Sequence, residues 1–83
     1  MNEVLVYGTD WCEDTHATRN HLNGFGVPYR YINIEQDATA QEWVKQQNGG
    51  KQRTPTVDIL GHILVEPDER ELELALRGKG LML

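Results

Sequence analysis

With 83 residues, a net charge of −5 and a single cysteine, the chain has room for one small domain and for no disulfide within it. The acidic balance and the scattered basic residues argue against nucleic-acid binding, because no basic stripe could neutralise phosphates. The apolar run Val4 to Tyr7 is too short for a signal peptide or a membrane helix. We therefore expect a cytoplasmic domain over residues 1–83 that has no membrane partner, and we expect it to be a monomer.

The first two predicted elements place the cysteine between a strand and a helix. The apolar run over 3–8 predicts a strand buried on both faces. The helical pattern over 12–23 begins at Cys12, and Gly24 is the expected left-handed residue that ends this helix. Cys12 therefore lies where unpaired backbone N–H groups and the helix dipole favour an anion such as a thiolate.

The rest of the chain alternates apolar segments with turn residues. We predict a strand over 29–34, a helix over 38–47, two strands of a hairpin over 56–60 and 63–65, and a helix over 68–76 opened by Pro67, with 79–83 as a tail. The order β-α-β-α-β-β-α requires one parallel strand pair and adds an antiparallel hairpin. The expected fold class is α/β, a four-stranded mixed sheet flanked by helices.

Cys12 is the candidate nucleophile. The alternative is a buried structural thiol, but the acidic neighbours Asp10, Glu13 and Asp14 are not typical of a core. These acids also oppose the thiolate that the helix N-terminus favours. Thr9 and Asp10 are candidate helix caps.

Two further side chains flank Cys12 along the chain. Thr15 follows one helical turn later, and it either fills space or hydrogen-bonds the thiolate. Trp11 either packs over the site or contacts a ligand. Cys12 and His16 are too few ligands for a zinc site, so no metal is expected.

The pattern Trp11-Cys12-x-x-Thr15 resembles the C-x-x-C site of thioredoxins and glutaredoxins, with threonine in place of the second cysteine. The whole chain resembles glutaredoxin-like proteins of the thioredoxin fold, and most of all the mycoredoxins. The segments that carry the resemblance are Trp11-Cys12, Asn48-Gly49-Gly50, Pro55-Thr56-Val57 and Pro67. It implies a thioredoxin fold with a cis Thr54–Pro55 bond opposite Cys12, whose backbone pairs with a bound peptide or thiol as an added strand would. An ordinary trans proline at a strand start is the alternative.

The resemblance implies reduction of mixed disulfides between protein substrates and a low-molecular-weight thiol, which acts as co-substrate. Because a C-x-x-T site cannot resolve its own mixed disulfide, an external thiol must finish the reaction. The family's C-G-F-S pattern, typical of cluster carriers, is absent, so we do not expect an iron–sulfur cluster. The alternative function is a non-catalytic module that docks a peptide or partner at the cis-proline groove.

The identity of the small thiol depends on the charged residues expected nearby. Glutathione carries two carboxylates and suits an acidic loop poorly, whereas Glu13 and its neighbours could accept hydrogen bonds from a neutral sugar thiol such as mycothiol. Arg53 either binds a carboxylate or is solvated. Asp68 either meets a cofactor amine or is simply a favourable acid at a helix start.

Overall fold

Seven elements form one mixed sheet with helices on both faces in the computed structural model, which describes residues 3–83. They are β1 (Val4–Gly8), α1 (Glu13–Phe25), β2 (Arg30–Asn33), α2 (Ala38–Gln47), β3 (Thr56–Ile59), β4 (His62–Val65) and α3 (Glu69–Gly78). The strand order is β2-β1-β3-β4, with β1 parallel to β2 and the other two pairs antiparallel. The predicted fold class is thus confirmed. No helix in the described residues is long and apolar enough to cross a membrane.

The side chains of β1 alternate between two cores. Val4 and Val6 are buried in the larger core, together with residues of α1 and α3 such as Leu22 and Leu72. Tyr7 points to the opposite face and packs on the smaller core that α2 covers. Because β1 alternates between buried and half-buried positions, the prediction of burial on both faces is only partly right.

The smaller core is built around α2. Ile34, Ala40 and Val44 are buried in it. The ring of Tyr7 packs against the ring of Trp43, with centroids 4.5 Å apart. One helix covers this sheet face, whereas two cover the other, and this difference explains why the residues of β1 on this side remain half-buried.

The end of α1 differs from the prediction. Gly26, with φ 71°, is the left-handed cap, and Gly24 lies inside the helix. The N–H of Gly26 bonds to the carbonyl of Asn23, and the N–H of Val27 bonds to that of Leu22. These bonds satisfy the last carbonyls of the helix, and buried Val27 anchors the chain after them. Gly24 and Gly26 could each end the helix on sequence grounds, and the burial of Val27 selects Gly26.

The last helix begins one position later than predicted. The Asp68 carboxylate accepts a hydrogen bond from the Glu71 N–H, and the Glu71 carboxylate accepts one from the Asp68 N–H. This capping box makes Asp68 the N-cap, so Pro67 precedes the helix instead of occupying its first turn. The helix also runs two residues past its predicted end and includes Gly78. The predicted tail is partly structural, because Leu81 and Met82 pack on the larger core.

The ends of the later strands also shift. The Gln36 N–H bonds to the Asn33 carbonyl and closes a turn, which ends β2 one residue early. Leu60 and Gly61 both have positive φ, so they form the hairpin turn, and β4 starts at His62. A leucine at positive φ gives no signal in the sequence, which is why the turn was predicted one residue later.

Gly8 sets the spacing between β1 and α1. A Cβ atom at Gly8 would lie 2.5 Å from both Cγ2 and Oγ1 of Thr15, which is too close for any side chain. The first turn of α1 can therefore lie against the end of β1 only because position 8 is glycine. This close approach positions the loop that carries Cys12.

We expect Gly8→Ala to lower the free energy of unfolding by about 1–3 kcal/mol, because the added methyl group overpacks the contact. The measurement is urea denaturation followed by circular dichroism. In a Thr15→Ala background the same change should cost clearly less. Gly24→Ala is the matched control, since nothing lies within 4 Å of that position, and it should stabilise α1 by about 0.5–1 kcal/mol. Equal losses in both backgrounds would contradict the contact.

Candidate functional site

Cys12 lies at the N-terminus of α1, next to the carboxyl ends of β1 and β2. It is the N-cap residue, with extended backbone, and its carbonyl accepts the first helical bond from the His16 N–H at 3.2 Å. The Cys12 N–H bonds to the Thr9 carbonyl at 3.3 Å. The expectation that Thr9 or Asp10 caps the helix is therefore wrong. Since the cysteine takes the cap position, its sulfur faces the free N–H groups of the first turn.

Thr54 and Pro55 lie directly opposite Cys12 and are joined by a cis peptide bond. The Cys12 thiol donates to the Thr54 carbonyl, with Sγ 3.6 Å from the oxygen. The Thr54 hydroxyl donates to Sγ, at 3.4 Å. The structure therefore agrees with the predicted cis bond and its place opposite the thiol. The Pro55 carbonyl in turn accepts the Glu66 N–H at 2.8 Å, which ties this loop to the end of β4.

Two opposing influences set the acidity of Cys12, and the result is a lowered pKa. Burial is the largest and raises the pKa. The Thr15 hydroxyl, the Thr54 hydroxyl and the backbone N–H groups of Thr15 and Asp14 act in the other direction and together outweigh burial. The carboxylates expected to oppose the thiolate are not among the causes of the shift. The thiolate is thus favoured by neutral donors and not by a neighbouring cation.

Thr15 both fills space and contributes to the acidity of Cys12. Its side chain is fully buried beneath Gly8. Its hydroxyl has no hydrogen-bond partner within residues 3–83, yet it lowers the Cys12 pKa more than the Thr54 hydroxyl does. In the resting thiol the Thr15 hydroxyl is not hydrogen-bonded to the sulfur. Thr15 then acts as a nearby dipole, and it becomes a full donor once the sulfur carries charge.

The other predicted binding residues are placed less centrally. Trp11 is 69% exposed and so does not pack over the site as a buried ring would. Glu13 is exposed in the first turn of α1. Arg53 forms an exposed ion pair with Glu66, with 3.4 Å between Nη1 and Oε2. The structure brings together Cys12, Thr15, Thr54 and Pro55, with Trp11 and Glu13 exposed on either side of Cys12 in the chain.

Asp68 is the N-cap residue of α3. One of its carboxylate oxygens accepts the Glu71 N–H at 2.8 Å in the capping box of α3. The side-chain hydrogen bonds found for Asp68 within residues 3–83 join it to Glu71 alone. Asp68 is thus an acid at a helix start, and its contact with a cofactor amine stays a prediction.

Tyr31 and Arg19 were not singled out in the sequence, yet Tyr31 is bonded to the loop that carries Cys12, and Arg19 stacks on Tyr31. The Tyr31 hydroxyl donates to Oδ1 of Asp10 at 2.8 Å. The Arg19 guanidinium carbon lies 4.0 Å from the centroid of the Tyr31 ring. The pKa of Tyr31 is raised to about 12, first by burial, then by the hydrogen bond and charge of Asp10, with Cys12 also contributing. The parallel pairing of β2 with β1 was the signal that could have identified Tyr31, because it brings β2 beside the loop.

Neither a group of metal-ligating side chains within residues 3–83 nor either of the two cavities along α2 includes Cys12. Within residues 3–83, no three His, Cys, Asp or Glu side chains come together to hold a metal ion. Two adjoining open cavities, of about 420 and 280 Å³, lie along α2 and share Thr39 and Trp43. Neither cavity is lined by Cys12 or by the residues that contact it.

Comparison with known proteins gives a consistent result. Residues 4–64 match the family model described as Glutaredoxin. Mycoredoxin 1 of Corynebacterium glutamicum is 40% identical over 57 residues, which cover 69% of this chain and 70% of that protein. The crystal structure of a glutaredoxin from Archaeoglobus fulgidus superimposes with a TM-score of 0.81 and 28% identity, covering 94% of this chain and 89% of that one. A buckwheat glutaredoxin crystallised with glutathione matches with a TM-score of 0.74 over 99% of this chain and 83% of its own; at 19% identity it shows a shared fold alone.

We expect Thr54→Val to raise the Cys12 pKa, because the variant removes a hydroxyl donor from the sulfur while keeping the side-chain shape. The measurement is the rate of alkylation by iodoacetamide as a function of pH, whose midpoint should move to higher pH. Thr39→Val, an exposed threonine on α2, is the control and should leave the midpoint in place. A midpoint that stays put or falls in Thr54→Val would show that this hydroxyl does not stabilise the thiolate.

Proposed function

This chain belongs to the glutaredoxin family, and from that premise we propose that it is a monothiol thiol–disulfide oxidoreductase acting on mixed disulfides between proteins and a low-molecular-weight thiol. One observation carries the proposal: the sole cysteine has a lowered pKa and is held at a helix N-terminus against the cis Thr54–Pro55 bond. A structural thiol would need neither that acidity nor partial exposure.

The first step is a thiol–disulfide exchange at Cys12. The Cys12 thiolate attacks the small-thiol sulfur of the mixed disulfide. A bond forms between Cys12 and the small thiol, the original disulfide breaks, and the protein sulfur leaves as a thiolate that takes up a proton. Before the attack, the Thr54 hydroxyl donates to Sγ at 3.4 Å and so orients the sulfur. The backbone of Thr54 and Pro55 is the edge on which the substrate would lie as an extended segment.

The second step needs a second molecule of the small thiol. Its thiolate attacks the small-thiol sulfur bound to Cys12, a symmetrical disulfide of the small thiol forms, and Cys12 leaves as a thiolate. The groups that lower the Cys12 pKa also make it a better leaving group in this step. No other cysteine exists in the chain to attack instead, so the external thiol completes every cycle.

We propose mycothiol ahead of glutathione as this thiol. Asp10, Glu13 and Asp14 are exposed beside Cys12, and they are better suited to the hydroxyls of a neutral sugar than to the two carboxylates of glutathione. Arg53, the cation adjoining Thr54, is paired with Glu66 and so is not free to offset them. The similarity to a mycoredoxin supports the same choice.

Reaction with oxidised mycothiol and oxidised glutathione, followed by intact mass, tests the proposal. We expect a single adduct that forms faster with mycothiol, is absent in Cys12→Ser, and disappears when fresh thiol is added. If neither disulfide forms an adduct near neutral pH, the oxidoreductase proposal fails. The cis-proline edge would then be better explained as a docking surface for a peptide or partner.

A resolving cysteine placed at position 15 tests the monothiol route directly. We expect Thr15→Cys to lose the adduct, because the new thiol attacks Cys12, expels the small thiol and leaves a disulfide within the chain. The mass should then be that of the reduced protein less two hydrogens. Thr18→Cys, also at a buried threonine but one turn farther along α1, should keep the adduct. An adduct that persists in Thr15→Cys would show that position 15 does not reach the sulfur.

A further inference from the structure

Tyr31 connects β2 to the loop that carries Cys12. Its hydroxyl donates to Oδ1 of Asp10 at 2.8 Å, and Asp10 lies two residues before Cys12. The Arg19 guanidinium stacks on the Tyr31 ring at 4.0 Å, and its Nε donates to the Tyr29 hydroxyl at 3.4 Å. The phenol is therefore fixed between an arginine on α1 and a carboxylate in the loop.

Asp10 is held by its backbone as well as by its side chain. Its carbonyl oxygen is hydrogen-bonded to Nε2 of His16 on α1. The residue is nevertheless exposed, and the Tyr31 bond uses one of its two carboxylate oxygens. The second oxygen is thus available to a group of a bound molecule. An exposed carboxylate normally samples many rotamers, so this double attachment fixes a charge that would otherwise be mobile.

The charges around Cys12 are unbalanced. Asp10, Glu13 and Asp14 are exposed carboxylates within two residues of it. Arg53 forms an ion pair with the carboxylate of Glu66, whereas Arg19 contacts two neutral tyrosines and keeps its positive charge. Lys51 lies farther along the exposed loop that leads to Thr54. A disulfide approaching Cys12 therefore meets three carboxylates, of which Asp10 is held by Tyr31, and the negative charge exceeds that of the one arginine without a carboxylate partner.

We propose that Tyr31 is a positioning residue that fixes the Asp10 carboxylate at the rim of the site, and that this carboxylate makes Cys12 prefer disulfides of cationic or neutral thiols over those of anionic thiols. The inference rests on the proposed exchange reaction, and it names the charge class of its substrate. A mixed disulfide flanked by lysine or arginine is the corresponding protein substrate.

The hydroxyl of Tyr31 remains a hydrogen-bond donor near neutral pH. Its pKa is raised to about 12, with burial as the first cause, so it keeps its proton near neutral pH. A protonated phenol can donate to the carboxylate but cannot repel it. The hydrogen bond from Tyr31 to Asp10 therefore keeps its donor in that range.

Three symmetrical disulfides that differ in charge test the proposal: those of cysteamine, mercaptoethanol and mercaptopropionate. In each case the Cys12 thiolate attacks one sulfur, the disulfide bond breaks, and one small thiolate leaves. Rates are followed by intact mass at low ionic strength and divided by the rates of the same disulfides with free mercaptoethanol. We expect the normalised rate to be about three- to tenfold higher for the cation than for the anion, and this ratio to shrink at high salt.

Substitutions of Asp10 and Tyr31 test whether these residues cause the preference for cationic over anionic disulfides. Asp10→Asn and Tyr31→Phe should each lower the cation-to-anion ratio by about two- to threefold, and the double variant should lower it little further, since both act through one carboxylate. The ratio is insensitive to the thiolate fraction, because the same sulfur attacks both disulfides. A purely structural role of Tyr31 would change both rates and leave their ratio alone. Glu42→Gln, an exposed acid on α2, is the charge-matched control and should have no effect.

The outcomes separate the two proposals. The charge selection is overturned if the cation-to-anion ratio of the wild type is near one, or if Asp10→Asn leaves that ratio unchanged. A loss of the ratio in Asp10→Asn but not in Tyr31→Phe overturns the positioning role. If the neutral disulfide also fails to react, the exchange reaction itself is wrong, and the selectivity proposal falls with it.

Discussion

The close approach of β1 to the first turn of α1 is the contact on which the site depends. Gly8 leaves no room for a side chain against Thr15, so the strand end and the helix start lie against each other. That contact makes Cys12 the N-cap residue and buries Thr15 beneath it. The same helix start then faces the loop at Thr54 and Pro55, which precedes the neighbouring strand β3 at the same end of the sheet. A methyl group at position 8 would separate elements whose proximity gives the thiol its environment.

Cys12 shows how a thiol can be made acidic without a cation. Burial works against the thiolate, and neutral donors from two threonines and the helix backbone more than compensate. These donors are fixed by elements that pack on the sheet, so they need not reorganise when the sulfur becomes charged. The surrounding carboxylates are exposed, where solvent screens them. They can thus bear on which molecule approaches while leaving the acidity to the hydrogen bonds.

Periodicity and turn residues were sufficient to predict the element order, because each strand and helix has an apolar pattern of the right period. Element ends were harder. Gly24 and Gly26 are equally good caps in the sequence, and buried Val27 decides between them. The hairpin turn was placed one residue late because leucine rarely has positive φ, as Leu60 does here.

The candidate site was predictable only where residues are close along the chain or where family resemblance supplied the partner. Cys12 and Thr15 came from local spacing, and the cis bond at Pro55 came from resemblance. Tyr31 is distant in sequence, and only the register of β2 against β1 brings it beside the Cys12 loop. The role of Asp68, by contrast, rests on a local pattern, an acid followed three residues later by Glu71, which the sequence analysis did not use.

The two tryptophans are placed in environments of opposite kind. Trp11 is exposed to solvent and precedes Cys12 in the chain, whereas Trp43 is stacked on Tyr7 over the smaller core. Their fluorescence therefore carries two separate signals: red-shifted emission sensitive to what is attached at Cys12, and emission from Trp43 that follows the integrity of the sheet and α2. Replacing either indole by phenylalanine would leave a chain in which chemistry or unfolding can be followed alone, without an added label.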